Sequence, residues 1–184
     1  TVAVCLMNSY VSGEHERAVG EILAREMPGA YITISSDVLP ELFEFPRTST
    51  TVANAVLAPV ISDYMRRLTD RLKADCYAGN ALVLHSGGGV MTTETASMHS
   101  ARLAASGLAG GAVAMSHVAK MCGLENALGL DIGGTSSDIS IMANGQVRVT
   151  QDWSVEPVYP IRFPSIELVT VGAGGGSVAW IDEG

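Results

Sequence analysis

Apolar residues recur along this chain with two spacings. Runs such as Thr1-Val2-Ala3-Val4-Cys5-Leu6-Met7 and Ala30-Tyr31-Ile32-Thr33-Ile34-Ser35 are short and rich in β-branched residues, as buried strands are. Between them Ala18, Val19, Ile22, Leu23 and Met27 recur at helical spacing and stop at Pro28-Gly29, which predicts a helix over about 14–27. Strand, helix and strand in that order predict a parallel βαβ unit. A loop with Pro40 and Pro46 follows. A long helical pattern then passes through Val52, Val56, Val60, Tyr64, Leu68 and Leu72. Pro59 lies inside it and predicts a kink or a second start near Ala58. The opposite face carries Asp63, Arg66, Arg67, Asp70, Arg71 and Lys73 and reads as solvated.

Beyond residue 80 the strands end in glycine. Ala81-Leu82-Val83-Leu84 runs into His85-Ser86-Gly87-Gly88-Gly89, and His85 borders that run as a candidate functional histidine. Residues 106–121 form a helical pattern of small residues, which predicts very close packing on a neighbour. Ala127-Leu128-Gly129-Leu130 reads as a strand delivering Asp131, and residues 138–142 as its return. Asn144-Gly145 marks a hairpin into residues 146–150. A loop with Pro157, Pro160 and Pro164 is predicted next, then a strand at 166–171, the turn 172–177 and a final strand at 178–181. The order of elements predicts an α/β fold, with a βαβ and long-helix region over 1–80 and a glycine-turn region over 81–184.

With 184 residues, 47% of them hydrophobic, the chain can bury one sizeable core or form one lobe of a larger molecule. A net charge of −8 without a Lys/Arg cluster argues against nucleic acid as a partner, and no apolar run is long enough to span a membrane. Cys5, Cys76 and Cys122 lack CxxC spacing and read as free thiols of a reducing cytoplasm; the four histidines show no metal-binding pairing. Both ends read as cut from a longer chain, without a targeting leader.

The stretch Asp131-Ile132-Gly133-Gly134-Thr135-Ser136-Ser137-Asp138 carries the most chemistry. Glycines let backbone approach a ligand, and successive N–H groups flanked by hydroxyls form a concavity suited to phosphate. Two aspartates would repel phosphate directly; a hard cation such as Mg²⁺ between them and the phosphate oxygens reconciles the two. The alternative is an ordinary hairpin whose aspartates cap loose N–H groups. Gly172-Ala173-Gly174-Gly175-Gly176-Ser177 reads either as a cradle for the sugar or phosphates of a nucleotide or as a close strand crossing between lobes. A P-loop, a GxSxG elbow and a complete GxGxxG are all missing. What remains is the hairpin phosphate grip of the actin, Hsp70 and sugar-kinase superfold, a ribonuclease H-like ATPase lobe with a mixed sheet flanked by helices.

Four motifs in order, Arg47-Thr48-Ser49-Thr50-Thr51-Val52-Ala53-Asn54-Ala55, Ser86-Gly87-Gly88-Gly89-Val90-Met91, residues 130–140 and residues 171–177, resemble the hydantoinase A/oxoprolinase family, which includes subunits of ketone carboxylases. The resemblance covers nearly the whole chain and is to an internal segment of a longer subunit. It implies ATP and Mg²⁺ as cofactors, a lactam or ketone as small-molecule substrate and a second large subunit of the hydantoinase B type as partner. The implied chemistry is opening of a cyclic amide after phosphorylation of its carbonyl oxygen, or activation of a ketone for carboxylation. Asp131 and Asp138 become the catalytic and metal-binding pair; Gly133, Gly134, Thr135, Ser136 and Ser137, with residues Gly172, Gly174, Gly175, Gly176 and Ser177, become the nucleotide set. Arg47, Thr48, Ser49, Thr50, Asn54, Ser86, Gly87 and Gly88 become the substrate set. For the first of these groups a structural reading stands beside the functional one: Thr48 or Ser49 caps a helix and Arg47 pairs with Glu44. The family's earlier DxGGT hairpin has no counterpart before Asp131 in these residues, and His85-Ser86 stands where the family commonly has an amide residue and Asn. A non-catalytic ATPase lobe acting on a protein client is the alternative of another class.

Overall fold

The structure, a computed structural model, describes residues 1–151, 153–156 and 158–181. Strand β1 (Val2–Val4), helix α1 (Glu14–Glu26) and strand β2 (Ile32–Ile34) form the predicted parallel unit, with Val2 opposite Ile32 and Val4 opposite Ile34. The face that α1 buries differs from the one its apolar spacing indicates. Ile22 and Met27 are about half exposed, whereas Glu16 and Gly20, one turn apart, are buried. Gly20 lets the helix close on the sheet, since a methyl group there would lie 2.8 Å from Ile34 Cδ1. The Glu16 carboxylate accepts from Leu6 N–H (2.7 Å), the Ser35 hydroxyl (2.7 Å) and Ser36 N–H (2.8 Å). It thereby satisfies both the turn after β1 and the start of the one-turn helix α2 (Ser35–Val38).

Helix α3 (Glu44–Ala74) is a single element of 31 residues that runs through Pro59, so the second start predicted near Ala58 does not occur. Proline removes one hydrogen bond, but α3 packs along its length on β1, β2, α2 and elements that follow it, and that packing outweighs one lost bond. Its buried side is Arg47, Thr50, Thr51, Asn54, Ala55, Ala58 and Met65, while the predicted apolar stripe of Val52, Val56, Val60 and Tyr64 faces outward.

Strands β3 (Leu82–Leu84) and β4 (Val90–Thr92) form an antiparallel hairpin. Helix α4 (Thr93–Met98) follows, with the Thr92 hydroxyl accepting from Thr95 N–H as its cap, then a 3₁₀ turn (Ser100–Leu103) and helix α5 (Ser106–Met121). Strands β5 (Ala127–Ile132), β6 (Ser137–Ala143) and β7 (Gln146–Val147) are consecutive and antiparallel, and Asn144 and Gly145 take the positive φ values that the tight hairpin between β6 and β7 requires. The remaining strands are β8 (Val149–Thr150), β9 (Trp153–Glu156), β10 (Tyr159–Ile161), β11 (Ser165–Ile166) and β12 (Leu168–Val171).

The fold is α/β, but the single mixed sheet expected from the sequence is divided. Among the described residues there are five sheets: the parallel pair β1–β2, the antiparallel pairs β3–β4, β9–β10 and β8–β11, and an antiparallel sheet of β12, β6, β5 and β7. The glycine turn after β3 folds β4 straight back as its partner, which needs no crossover. A hairpin, β9–β10, occupies much of the region read as a proline loop; Pro160 is in β10, and Pro157 lies outside the described residues. Residues 178–181 form no strand. Their apolar side chains Val178, Trp180 and Ile181 are exposed.

Helix α5 covers one face of the four-stranded sheet. Its buried positions are Ala109, Ala112, Ser116 and Ala119, small residues that permit the close approach predicted from composition. The other face presents Leu128, Leu130, Ile132, Ile141, Val169 and Val171 to solvent.

Candidate functional site

The β5–β6 hairpin places Asp131 directly opposite Asp138, with Ile132 opposite Ser137 and residues 133–136 as the connection. Directly paired residues project on one face with Cβ atoms roughly 4.5–5.5 Å apart, a destabilising arrangement for two like charges. Both aspartates line a cavity of about 230 Å³ between the sheet and α5, together with Gly111, Met115, Ser140 and Leu168. Thr170 of β12, opposite Asp138 in the other direction, donates its hydroxyl to Asp138 Oδ1. Gly111 of α5 faces the other carboxylate, and a methyl group there would lie at ordinary contact distance, 3.7 Å from Asp131 Oδ2. Neither Thr170 nor Gly111 stands out in the sequence; the paired glycines at 110–111 inside a helical pattern are the one available signal.

The donor set suits one class of cation. Among the described residues no three His, Cys, Asp or Glu side chains converge, so a cage made of protein ligands alone is not built here. Two facing carboxylates match Mg²⁺, which takes one or two carboxylates and fills its octahedron with water and phosphate oxygens.

The two glycine loops meet. Gly175 N–H donates to the Gly133 carbonyl (2.8 Å) and Gly176 N–H to the Gly134 carbonyl (3.3 Å), while the Ser137 hydroxyl donates to the Ala173 carbonyl. Ser177 closes the loop on itself, accepting from Gly174 N–H at its hydroxyl and donating its own N–H to the Gly174 carbonyl. A methyl group on Gly174 would stand 2.7 Å from Gly133 O and 2.8 Å from Gly134 C and O. The amides of Gly175 and Gly176 are engaged with the hairpin, so this loop braces the turn.

Ser86, Gly87 and Gly88 form the turn between β3 and β4. Ser86 donates its N–H to Arg102 O and its carbonyl accepts from Ile166 N–H, both at 2.8 Å. Gly88 has φ of +82°, and a methyl group on Gly87 would lie 2.8 Å from Pro164 O. His85 folds back onto this turn, its Nδ1 accepting from Gly87 N–H at 3.0 Å. Burial, and then the positive charge of Arg102, lower its pKa and keep the ring neutral at pH 7. In this role it braces a turn.

The Arg47–Asn54 group is corrected by its surroundings. Arg47 is fully buried; its guanidinium donates to Leu6 O (2.6 Å) and Glu41 O (3.2 Å), lies 5.8 Å from the Tyr10 ring centroid, and makes no pair with Glu44 among the described residues. Thr50 donates to Pro46 O and accepts from Arg162 N–H; Asn54 donates to Met98 O and accepts from Ala101 N–H. Thr48 donates to Cys5 Sγ, and neither it nor Ser49 caps α3, whose N-cap is Phe43 without a side-chain bond. The buried side chains of Arg47, Thr50 and Asn54 are spent on internal carbonyls and amides and hold elements together, whereas Thr48 is exposed and Ser49 partly exposed.

Fold and hairpin together define an α/β domain in which a glycine turn sets two aspartates face to face over a cavity. Residues 47–184 match the family model described as Hydantoinase/oxoprolinase, and the chain belongs to that family. It is 36% identical to 5-oxoprolinase 1 of Arabidopsis thaliana, over 96% of this chain and 14% of that protein. It is 32% identical to the caprolactamase subunit alpha of Pseudomonas jessenii, over 99% of this chain and 26% of the relative. The crystal structure of that ATP-dependent caprolactamase superposes with a TM-score of 0.81. A nucleotide-free structure from work on ATP-dependent acetone carboxylation superposes at 0.82, with 27% identity, over 97% of this chain and 25% of that one. The chain thus spans about a quarter or less of these relatives' lengths.

Proposed function

We propose that this chain is the nucleotide-gripping part of a longer, ATP-dependent subunit that opens cyclic amides by phosphorylating the ring carbonyl. The observation that carries the reading is the Asp131–Asp138 pair, held face to face at a glycine turn over a cavity. Relatives named as an ATP-dependent caprolactamase and as 5-oxoprolinases give the amide class. In this reading the lobe is of the actin and Hsp70 kind. Asp131 and Asp138 hold Mg²⁺, which when bound neutralises charge on the transferring phosphoryl group. The turn residues Gly133, Gly134, Thr135 and Ser136 lie against the phosphates, with Ser137 and the 172–177 brace keeping that backbone in place. The amide oxygen takes the terminal phosphoryl group as the bond to ADP breaks; one water adds to the activated carbon and the C–N bond opens to leave an acyl phosphate, which a second water cleaves to the carboxylate and phosphate. Positioning supplies most of the rate, and a rigid turn serves positioning. Ser86, Gly87 and Gly88 belong to the substrate side, and Arg47, Thr50 and Asn54 to the scaffold.

The uncovered apolar faces of α3 and the four-stranded sheet suit burial by the rest of a longer subunit and by a second large subunit of the hydantoinase B type. Assembly of that kind accords with the word subunit in the caprolactamase relative's name. The fit to the acetone carboxylation structure favours a ketone as the second substrate reading.

The test uses the full-length protein with its partner subunit. ATP hydrolysis is measured with and without hydantoin, 5-oxoproline, ε-caprolactam and acetone, for the parent and for Asp131→Asn. Stimulation by an amide and a loss of at least a hundredfold in the variant are expected. A parent rate retained in Asp131→Asn rejects the role, and stimulation by a protein client alone points to the non-catalytic lobe.

A further inference from the structure

Beside the aspartate cavity lies a second, smaller one of about 150 Å³. Ser86 and Ser165 line it with Thr170, Ala104, Leu108 and Ile166. Leu108 also lines the aspartate cavity, and Thr170 donates to Asp138, so the two spaces adjoin. Ser86 and Ser165 are only 3% and 4% exposed, yet neither hydroxyl has a hydrogen-bond partner among the described residues. They are neighbours, because Ile166 N–H donates to the Ser86 carbonyl. An unsatisfied buried hydroxyl costs about 1–3 kcal/mol, so two at one cavity indicate something that completes them.

We propose that this cavity binds the ring of a small, neutral cyclic amide, with the Ser86 and Ser165 hydroxyls on its C=O and N–H. The inference rests on the function proposed above and names the substrate's class and seat. A hydroxyl both donates and accepts, so a pair of them matches an amide, which needs one donor and one acceptor. The rest of the wall is mainly apolar and suits ring methylenes. Size agrees: a cavity of about 150 Å³ in another protein holds benzene. The start of α5 at Ala105, where the first N–H groups have no partner inside the helix, adds favourable potential for the carbonyl oxygen. None of the lining residues carries a charge, so nothing there answers a carboxylate on the ring.

The probes are 2-pyrrolidinone and 5-oxoproline, the same ring without and with a carboxylate, given to the full-length protein with its partner subunit and ATP. The parent is expected to show a kcat/KM at least tenfold higher with 2-pyrrolidinone. Ser165→Ala and Ser86→Ala are expected to raise its KM tenfold or more while kcat falls less than threefold. Thermal unfolding without substrate gives an independent readout. Removing an unsatisfied hydroxyl should leave Tm unchanged or raise it, whereas a structural hydroxyl would lower it. Unchanged KM in both serine variants, alongside loss of ATP turnover in Asp131→Asn, overturns this cavity assignment and leaves the proposed function standing. Preference for 5-oxoproline, or no stimulation by either ring, also overturns it. Parent turnover in Asp131→Asn sinks the proposed function instead.

Discussion

Replacing Gly174 by alanine tests whether the brace behind the acidic hairpin is built as described. The added methyl would sit 2.7 Å from Gly133 O and 2.8 Å from Gly134 C and O, all backbone atoms that cannot swing aside. Forcing such an overlap costs about 1–3 kcal/mol. Parting the loops also loses the bonds from Gly175 to Gly133 and from Gly176 to Gly134, about 0.5–1.5 kcal/mol each. A local loss of about 2–6 kcal/mol follows, and the brace should open roughly thirtyfold to twenty-thousandfold more often, at about 1.4 kcal/mol per tenfold. Hydrogen exchange at the amides of Gly175 and Gly176 reads this directly in the full-length protein, with KM for ATP as a second measurement expected to rise. Gly172→Ala is the control, because nothing lies within 4 Å of its added methyl. Parent-like exchange in Gly174→Ala would refute the contact, and equal acceleration in Gly172→Ala would show that any alanine loosens the loop.

Two further outcomes concern stability and acid. Burial raises the pKa of Glu16, but hydrogen bonds from Ser35, Leu6 and Ser36 outweigh it and hold the carboxylate below its ordinary 4.5. Glu16→Gln keeps one acceptor oxygen and turns an NH₂ towards the remaining donors; a loss of about 2–3 kcal/mol in chemical unfolding is expected, and a loss under about 0.5 would count against the network. His85 and His99 both titrate below 6.5, through burial first and then the charge of Arg102, with Asp37 opposing at His99. Their unfolded forms take up protons at higher pH than the folded ones, so their contribution is full above about pH 6.5 and falls as pH drops through the lowered folded values. Glu16 acts in the same sense at lower pH: its contribution is full above about 4.5 and falls below it. Tm followed from pH 8 to 3 should therefore hold, decline from about 6.5, and decline further below about 4.5; a Tm that rises on acidification from pH 7 to 5 would contradict both histidine assignments.

Glycine and turn chemistry make the acidic hairpin legible in the sequence. Asp131, two glycines, three hydroxyl residues and Asp138 can be read only as strand, turn and strand, and Asn144-Gly145 marks the next reversal with the same certainty of backbone conformation. The substrate set read less well. Arg47, Thr50 and Asn54 are polar residues on a helix, and polarity in a sequence does not distinguish a side chain aimed at a ligand from one tying that helix to a distant loop. Asn54 bonds to residues 98 and 101, and Thr50 to residue 162, partners that no local pattern contains. Glu16, Ser165 and Thr170 were invisible for the same reason.

The sequence by itself determined the local elements: the parallel βαβ start, the small-residue helix α5 and the glycine turns, because period, breaker and φ preference act over a few residues. Only the tertiary structure decided which face of each element is inside. Val52, Val56 and Val60 form the more apolar stripe of α3, yet Thr51, Asn54 and Ala58 are the buried ones. Burial is decided by what a face meets, and polar groups can be buried at little cost once distant chain segments supply their hydrogen bonds. The same long-range folding set residues 172–177 against 133–134 and brought to one cavity two serine hydroxyls without partners among the described residues, neither of which spacing along the chain encodes.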